Sequence, residues 1–163
     1  RNLGTDRKEA QEFYNKYFNT FTGLAAYLDK VKAETERKGY TETMFGRRRY
    51  FTGFRSPLPY IRAQAERMAI NAPIQGTQAD IIKIAMRGID DYIKRNGEGG
   101  KVRLLLQVHD ELVFEVSDEL VHEAAKNFKK IMEEVLAPSE SRGVPIVVEA
   151  HAGDNWGEME KIK

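Results

Sequence analysis

The sequence has no cysteine, a single tryptophan and only five prolines among its 163 residues. Without cysteine, a disulfide framework and a thiolate metal site are both excluded. No apolar run reaches the ~20 residues that a membrane-spanning helix needs, and we find no signal peptide, repeat or low-complexity tract. These absences predict a globular domain, or part of one, in a cytosolic setting and without membrane contact.

The net charge of +1 conceals an uneven distribution of charge. Residues 30–67 contain ten lysines and arginines against four acidic residues, whereas residues 110–163 contain six against thirteen. The basic segment includes Arg47, Arg48, Arg49, Arg55, Arg62 and Arg67. Because guanidinium groups suit phosphate oxygens, this segment predicts a contact with nucleic acid. A solvated basic face is the alternative.

Residues 104–116, LLLQVHDELVFEV, are the most informative part of the chain. Two apolar runs are joined at His109-Asp110, with almost no room for a turn. Hairpin turns usually contain glycine or asparagine because they need positive φ, so a His-Asp tip predicts backbone strain of the kind found at functional sites. Flanks that are apolar at nearly every position predict strands covered on both faces. The pattern thus predicts a rigid, buried hairpin that holds two carboxylates, Asp110 and Glu111, for a metal ion. A solvated turn is the alternative for the HDE tripeptide taken alone.

Four segments, in this order along the chain, resemble the family A DNA polymerases, the DNA polymerase I type. They are GYTETMFGRRRY at residues 39–50, RMAINAPIQGTQAD at 67–80, QVHDELVFEV at 107–116 and EAHAGDNW at 149–156. The resemblance extends over essentially the whole chain. It implies the C-terminal part of a polymerase domain, lacking the upstream catalytic aspartate and the fingers helix that grips the incoming triphosphate.

The resemblance also implies the chemistry of the hairpin. Nucleotidyl transfer uses two metal ions about 3.5–4 Å apart, and magnesium needs only one or two carboxylates from the protein. Asp110 resembles the family's metal-binding aspartate, and Glu111 resembles an auxiliary carboxylate. His109 resembles the histidine that touches the primer terminus, although a turn residue bonded to backbone is the alternative. The second metal ligand would come from the missing upstream segment.

Further polar residues are interpreted as contacts to primer–template DNA. By resemblance, Asn71 and Gln75 would read minor-groove atoms that every correct base pair presents alike, and Arg67 would lie on the duplex. Gly76 would let the backbone approach a ligand closely. Structural roles are the alternatives, a helix terminus for Asn71 among them. The remaining members of the predicted DNA-binding set are Arg47, Arg48, Arg49 and Gln107.

Periodicity predicts an α+β fold, in which helices pack a palm-type antiparallel sheet that includes the HDE hairpin. Residues 1–55 would form fingers and palm helices with a basic hairpin, and residues 56–163 the palm with the catalytic hairpin 102–116.

Asp6 with Glu9 predicts a helix start, Gly39 a helix end, and Ser117 a cap for a later helix. Pro73 predicts the boundary between two helices. Residues 144–151 are expected to form a last strand. An aromatic stripe is expected to lie in the core, at Phe13, Tyr14, Tyr17, Phe18 and Phe21.

The function that follows from the resemblance is template-directed DNA synthesis from dNTPs with Mg²⁺. Its partners would be primer–template DNA, dNTPs and the remainder of the polymerase chain. The alternatives are a single-subunit RNA polymerase, which shares a His-Asp tip, and a non-catalytic DNA-binding remnant. The expected location is the cytoplasm, in a bacterial nucleoid or a phage-infected cell, with an organelle as a further option.

Overall fold

The computed structural model describes residues 6–162 and has an α+β architecture. The helices are α1 (Arg7–Thr20), α2 (Thr22–Lys38), α3 (Pro59–Arg95), α4 (Val121–Glu133) and α5 (Pro138–Ser141). The strands are β1 (Tyr40–Glu42), β2 (Arg48–Tyr50), β3 (Val102–Val108), β4 (Glu111–Val116), β5 (His151–Ala152) and β6 (Glu160–Lys161). In the described part they form three antiparallel pairs, β1–β2, β3–β4 and β5–β6. The α+β class is therefore confirmed, with small separate sheets in place of a larger one.

The chain divides into two compact units, the first ending at Thr77 and the second beginning at Gln78. Helix α3 contributes residues to both. No helix within residues 6–162 combines the length and the apolar character required to cross a bilayer.

The first unit begins with two helices whose ends agree with the sequence. Asp6 forms a capping box with Glu9, and its carboxylate accepts from the backbone N–H groups of Lys8 and Glu9 at 2.7 and 2.8 Å. These bonds satisfy two donors that the first turn of a helix otherwise leaves unpaired. Helix α2 ends at Gly39, whose φ of 81° lies in the left-handed region. Both predicted helix boundaries are confirmed.

The aromatic stripe on α1 is not part of a core within the described residues, so that prediction was wrong. Phe13 is 72% exposed and Phe21 is 52% exposed. The rings contact one another instead, with Tyr17 and Phe21 centroids 4.8 Å apart. Helical spacing correctly predicted an apolar face, but spacing alone does not say whether another element covers it.

Helix α3 is 37 residues long and continues through Pro73. The predicted boundary between two helices at Pro73 was therefore wrong. A proline inside a helix loses one hydrogen bond and clashes with the preceding turn, so tertiary packing must offset a cost of about 3 kcal/mol. Ala65 and Ala69 are buried against Phe54, in a cluster that Phe51 also contacts. Small side chains on this face let the segment between β2 and α3 lie close to the helix.

The second unit has its core between the end of α3, the β3–β4 hairpin and α4. Its buried members are Ile89, Ile93, Val102, Ala124 and Phe128, against which Leu112, Phe114 and Val116 pack. Alternate residues of β4 therefore share one covered face, as the two-residue period of a strand requires. The rings of Phe114 and Phe128 lie 4.8 Å apart.

Within residues 6–162 the hairpin is covered on one face only, which corrects the prediction of burial on both. Leu104, Leu105 and Leu106 are 39%, 55% and 46% exposed. The register shifts between Leu104 and Leu106, which leaves Leu105 as an extra residue in the ladder. Such a bulge bends and twists a strand. Continuous apolar runs in the sequence do not distinguish this arrangement from a fully covered strand.

Two smaller predictions in the second unit were also wrong. Of the expected strand at residues 144–151 only the end is present: residues 144–150 form no strand, and β5 pairs with β6. The carbonyl of Ala150 also accepts a hydrogen bond from the backbone N–H of Ile162, at 2.9 Å. Ser117 makes no side-chain cap; it precedes a short 3₁₀ turn at Asp118–Leu120 that leads into α4. The backbone N–H of Val148 instead donates to the carboxylate of Glu133 at 3.1 Å.

Candidate functional site

The tip of the β3–β4 hairpin is a two-residue turn made of His109 and Asp110. Val108 pairs with Glu111 directly below the turn. His109 has a φ of 52°, in the left-handed region, whereas Asp110 has no positive φ. For a residue with a Cβ this conformation costs roughly 1 kcal/mol or more. The predicted strain is present, and it lies on the residue that precedes the candidate metal ligand.

Gln107 supports this turn from below. Its side-chain amide donates a hydrogen bond to the backbone carbonyl of His109, at 2.7 Å. The bond fixes the strained peptide without help from glycine. The sequence analysis placed Gln107 among the DNA contacts; in the structure its amide nitrogen is directed at the tip of its own hairpin.

The two candidate metal ligands, Asp110 and Glu111, are exposed and adjacent in sequence. No cation within residues 6–162 forms an ion pair with either carboxylate. In the same part of the chain, no three His, Cys, Asp or Glu residues lie close enough together to hold a metal ion. Two carboxylates fit magnesium, because it keeps several waters and takes one or two protein ligands beside substrate phosphates. They would not make a closed protein cage.

The residues predicted to contact duplex DNA in the first unit share one face of α3. Arg67, Asn71 and Gln75 are spaced four apart and all are exposed. At 1.5 Å per residue this row is about 12 Å long. Ala69 and Ala72, in between, are buried. The spacing thus directs one guanidinium and two amides outward, while small residues anchor the opposite face.

The arginines of the predicted basic hairpin, Arg47, Arg48 and Arg49, lie in strand β2 and the residue before it, and we call this segment the basic arm. Arg48 lies 2.8 Å from the Glu42 carboxylate through its Nε, and its guanidinium stacks over the ring of Tyr40 at 4.5 Å. The hydrogen bond to Glu42 raises the pKa of Arg48 further above its usual range. Arg49 stacks over Phe51 at 5.4 Å. Both side chains are exposed but oriented by these partners.

Arg47 has a different arrangement from its two neighbours. One of its terminal nitrogens donates to the backbone carbonyl of Gly76, on α3, at 2.9 Å. Its side chain therefore connects the β1–β2 turn to the helical turn that carries Gln75. The structure brings together two predicted DNA-binding elements here, the arm and the exposed row on α3. The close approach predicted at Gly76 is made by the protein's own Thr43 and Arg47 and not by a ligand.

Two residues at this junction were not singled out from the sequence. The Thr77 hydroxyl, on α3, accepts a hydrogen bond from the backbone N–H of Met44 in the β1–β2 turn. The Thr43 hydroxyl accepts one from the backbone N–H of Arg47 within that turn. Thr43 and Thr77 are 34 residues apart. Because threonine is common on protein surfaces, neither residue attracts notice in the sequence. No local pattern predicts that both lie at the junction of the turn and α3, so only the fold identifies them.

Comparison with known proteins gives a consistent result. The sequence model described as DNA polymerase family A matches residues 1–158. DNA polymerase I of Rhizobium leguminosarum is 45% identical over 156 residues, covering 96% of this chain and 15% of that protein. DNA polymerase I of Pseudomonas aeruginosa is 41% identical over 158 residues, covering 97% of this chain and 17% of that protein.

A solved structure is also similar to this chain. The POL domain of Pol1 from M. smegmatis, in complex with DNA primer-template and dNTP, superposes with a TM-score of 0.77 at 42% identity. The match covers 83% of this chain and 24% of that chain. This chain therefore spans about one sixth of the length of the curated relatives and about a quarter of the solved one.

Proposed function

This chain belongs to DNA polymerase family A, and we propose that it forms the C-terminal part of a polymerase domain that extends a DNA primer from dNTPs. The observation that carries the proposal is the exposed, strained His109-Asp110 tip on a hairpin whose other end is anchored in a core. In this proposal residues 1–55 are fingers and palm helices with the basic hairpin, and residues 56–163 are palm. The cytoplasm is the proposed location.

In the proposed reaction Asp110 is the carboxylate that holds Mg²⁺ at the reacting centre. When bound, magnesium activates the attacking 3′-hydroxyl and holds the leaving pyrophosphate. Glu111, the first residue of β4, is an auxiliary or outer-shell carboxylate in this proposal. His109 contacts the primer terminus, and Gln107 keeps the turn in place. A second aspartate, outside these 163 residues, completes the metal site.

The exposed row on α3 serves the duplex in this proposal. Amides at Asn71 and Gln75 reach the minor-groove acceptors, which are alike in every correct pair, and so test the geometry of a pair without reading its sequence. Arg67, with Arg47, Arg48 and Arg49, lies along the phosphates. The names of the relatives favour a DNA polymerase over a single-subunit RNA polymerase.

The decisive experiment measures single-turnover primer extension by the full-length protein that carries this chain. Asp110→Asn keeps the size of the side chain and removes its charge, so we expect incorporation to fall by more than a thousandfold, a loss that metal ligation at a developing charge explains. Binding of primer–template should change less than threefold, because Asp110 contacts no phosphate in this proposal.

Asp154→Asn is the matched control, because Asp154 is also an exposed aspartate of the second unit. We expect it to extend primers at the wild-type rate. Incorporation by Asp110→Asn within tenfold of wild type would remove the metal role. A wild-type protein that binds primer–template but extends nothing would instead favour the non-catalytic DNA-binding alternative.

A further inference from the structure

The turn between β1 and β2 is attached to α3 by a hydroxyl group. The Thr77 hydroxyl accepts a hydrogen bond from the backbone N–H of Met44 at 3.0 Å and donates one to the carbonyl of Pro73 at 2.7 Å. One side chain thus satisfies a turn amide and a helix carbonyl together. A hydroxyl does this because it is both a donor and an acceptor.

The same junction is packed too closely for a side chain at position 76. A Cβ built on Gly76 would lie 2.6 Å from Cγ2 of Thr43 and 3.4 Å from a guanidinium nitrogen of Arg47. Since real Cβ atoms essentially never approach so closely, a side chain at position 76 would force Thr43 or the whole turn to shift. Gly76 lies inside α3, where glycine costs about 1 kcal/mol relative to alanine. That cost supports the view that the close approach matters.

The turn itself is held in one conformation by Thr43. Its backbone N–H donates to the carbonyl of Arg47 at 3.0 Å, and its carbonyl accepts from Gly46 at 3.0 Å. Its hydroxyl accepts from the N–H groups of Phe45 and Arg47, each at 3.2 Å. The turn therefore docks on α3 as a preformed unit, not as a loose loop.

We propose that Thr43, Gly76 and Thr77 are positioning residues that dock the β1–β2 turn onto α3, next to Gln75. This inference rests on the proposed function. It adds that the basic arm and the row Arg67, Asn71 and Gln75 are fixed as one surface, so that phosphate contacts on one element set the depth at which amides on the other enter the minor groove. None of the three positioning residues needs to touch DNA.

The location of Pro73 strengthens this inference. Pro73 has no N–H, so the α3 ladder lacks one bond just before the docking site. Helices bend readily at such points and where a threonine hydroxyl bonds back to a carbonyl four residues earlier. Without the docked turn, the direction of the helical turn carrying Gln75 would be less well fixed.

The dock is tested first without any activity measurement. In Thr77→Val of the full-length protein, hydrogen exchange of the Met44 amide should accelerate at least tenfold, because that amide loses its acceptor. Thr77→Ser keeps the hydroxyl and should exchange as wild type. The amides of Thr43 and Gly46, bonded within the turn, should keep their protection in both variants. Unchanged exchange at Met44 in Thr77→Val overturns the dock.

The second test is a designed suppression. Gly76→Ala forces the turn away from the helix; Thr43→Ser removes the Cγ2 methyl that the new Cβ would meet and keeps the hydroxyl. We expect Gly76→Ala to weaken primer–template binding roughly tenfold, less than the hundredfold that a misplacement of about 1 Å can cost at a reacting centre. The salt slope of binding should fall by about 1 to 2, as for the loss of one or two phosphate contacts. The double variant, Gly76→Ala with Thr43→Ser, should regain most of the binding affinity and most of the salt slope.

Gly23→Ala is the matched control, since Gly23 also lies inside a helix and a Cβ there meets nothing within 4 Å. It should bind and extend as wild type. Failure of Thr43→Ser to rescue Gly76→Ala, or a Gly76→Ala protein with wild-type binding and salt slope, overturns the positioning role. If the wild-type protein binds no primer–template, the proposed function fails, and exchange at Met44 still decides whether the dock exists.

Discussion

The exposed row on α3 and the tip of the β3–β4 hairpin are supported in opposite ways. The row rests on buried alanines and on a docked turn, with hydrogen bonds that connect residues some 30 positions apart in sequence. The tip projects from its core and depends on one side-chain bond, from Gln107, and on a residue with positive φ. The first region is preorganised by tertiary contacts, the second by local geometry.

This difference agrees with the separate tasks proposed for the two regions. A surface that tests base-pair geometry must not adjust to a wrong pair, so rigidity benefits it. Carboxylates that take a hard cation need open coordination positions, which a crowded, fully bonded site would not provide. We therefore expect substitutions in the two regions to affect binding and chemistry separately.

The largest expected effect is that the isolated 163-residue chain binds DNA but does not extend a primer. It should bind duplex DNA in the non-specific range, with a Kd of about 10⁻⁴–10⁻⁶ M that weakens as salt increases, because the arginines remain. It should extend no primer, because the second metal-binding aspartate of the proposed reaction lies outside these 163 residues. Titration of labelled primer–template with Mg²⁺ and all four dNTPs measures both. Measurable extension would show that the active site is misplaced, and no binding at low salt would remove the role of the basic arm.

A smaller effect is expected from relieving the strain at the tip. His109→Gly in the full-length protein should leave the free energy of unfolding unchanged or raise it by up to about 1 kcal/mol, because glycine adopts positive φ without a steric cost. Extension should nevertheless fall about ten- to a hundredfold, since the imidazole at the primer end is lost and the tip gains freedom. Denaturant unfolding and single-turnover rates measure the two quantities. A fall in stability that matches the loss of activity would indicate a purely structural His109.

Substitutions in the row on α3 should act on binding, by about tenfold or less. Arg67→Ala should weaken duplex binding and lower its salt slope by about 1, because one phosphate contact is lost. Gln75→Ala should leave the slope unchanged and reduce extension chiefly from mispaired or minor-groove-modified primer ends. Fluorescence titrations over a range of salt concentrations, together with extension from matched and mispaired primers, separate the two. The opposite pattern would show that these roles are reversed.

The smallest effect concerns the core beneath the hairpin. Burial of Tyr92 raises the pKa of its phenol, while a hydrogen bond from Asn127 at 2.9 Å lowers it by less. The folded state therefore favours the neutral phenol. The contribution of the Tyr92 phenol to the free energy of unfolding is fully present below its pKa in the unfolded state, about 10. That contribution is lost as the pH rises through the higher pKa of the folded state. Tyr92→Phe should remove one late-titrating phenol from the alkaline absorbance spectrum. Loss of a phenol that titrates together with ordinary exposed tyrosines would contradict the shift.

Local features of the sequence predicted the local features of the structure. The capping box at Asp6, the glycine stop at Gly39 and the two-residue turn at His109 each depend on residues within a few positions, so pattern and structure agree. The sequence predicted less well which apolar faces are covered by another element. The aromatic stripe on α1 and the leucines of β3 are apolar in sequence and exposed in the described structure, because periodicity identifies a face but not its partner.

The sequence by itself determined the α+β class, the turn that carries Asp110 and the spacing that aligns Arg67, Asn71 and Gln75 on one helical face. These follow from short-range sterics and from the period of a helix, which the chain carries in its own order of residues. Only the tertiary structure decided that α3 runs through Pro73. The docking of the β1–β2 turn by Thr77 was decided in the same way. Its physical reason is distance along the chain: hydrogen bonds and close packing between residues some 30 positions apart depend on where the fold places them, and no local pattern encodes that placement.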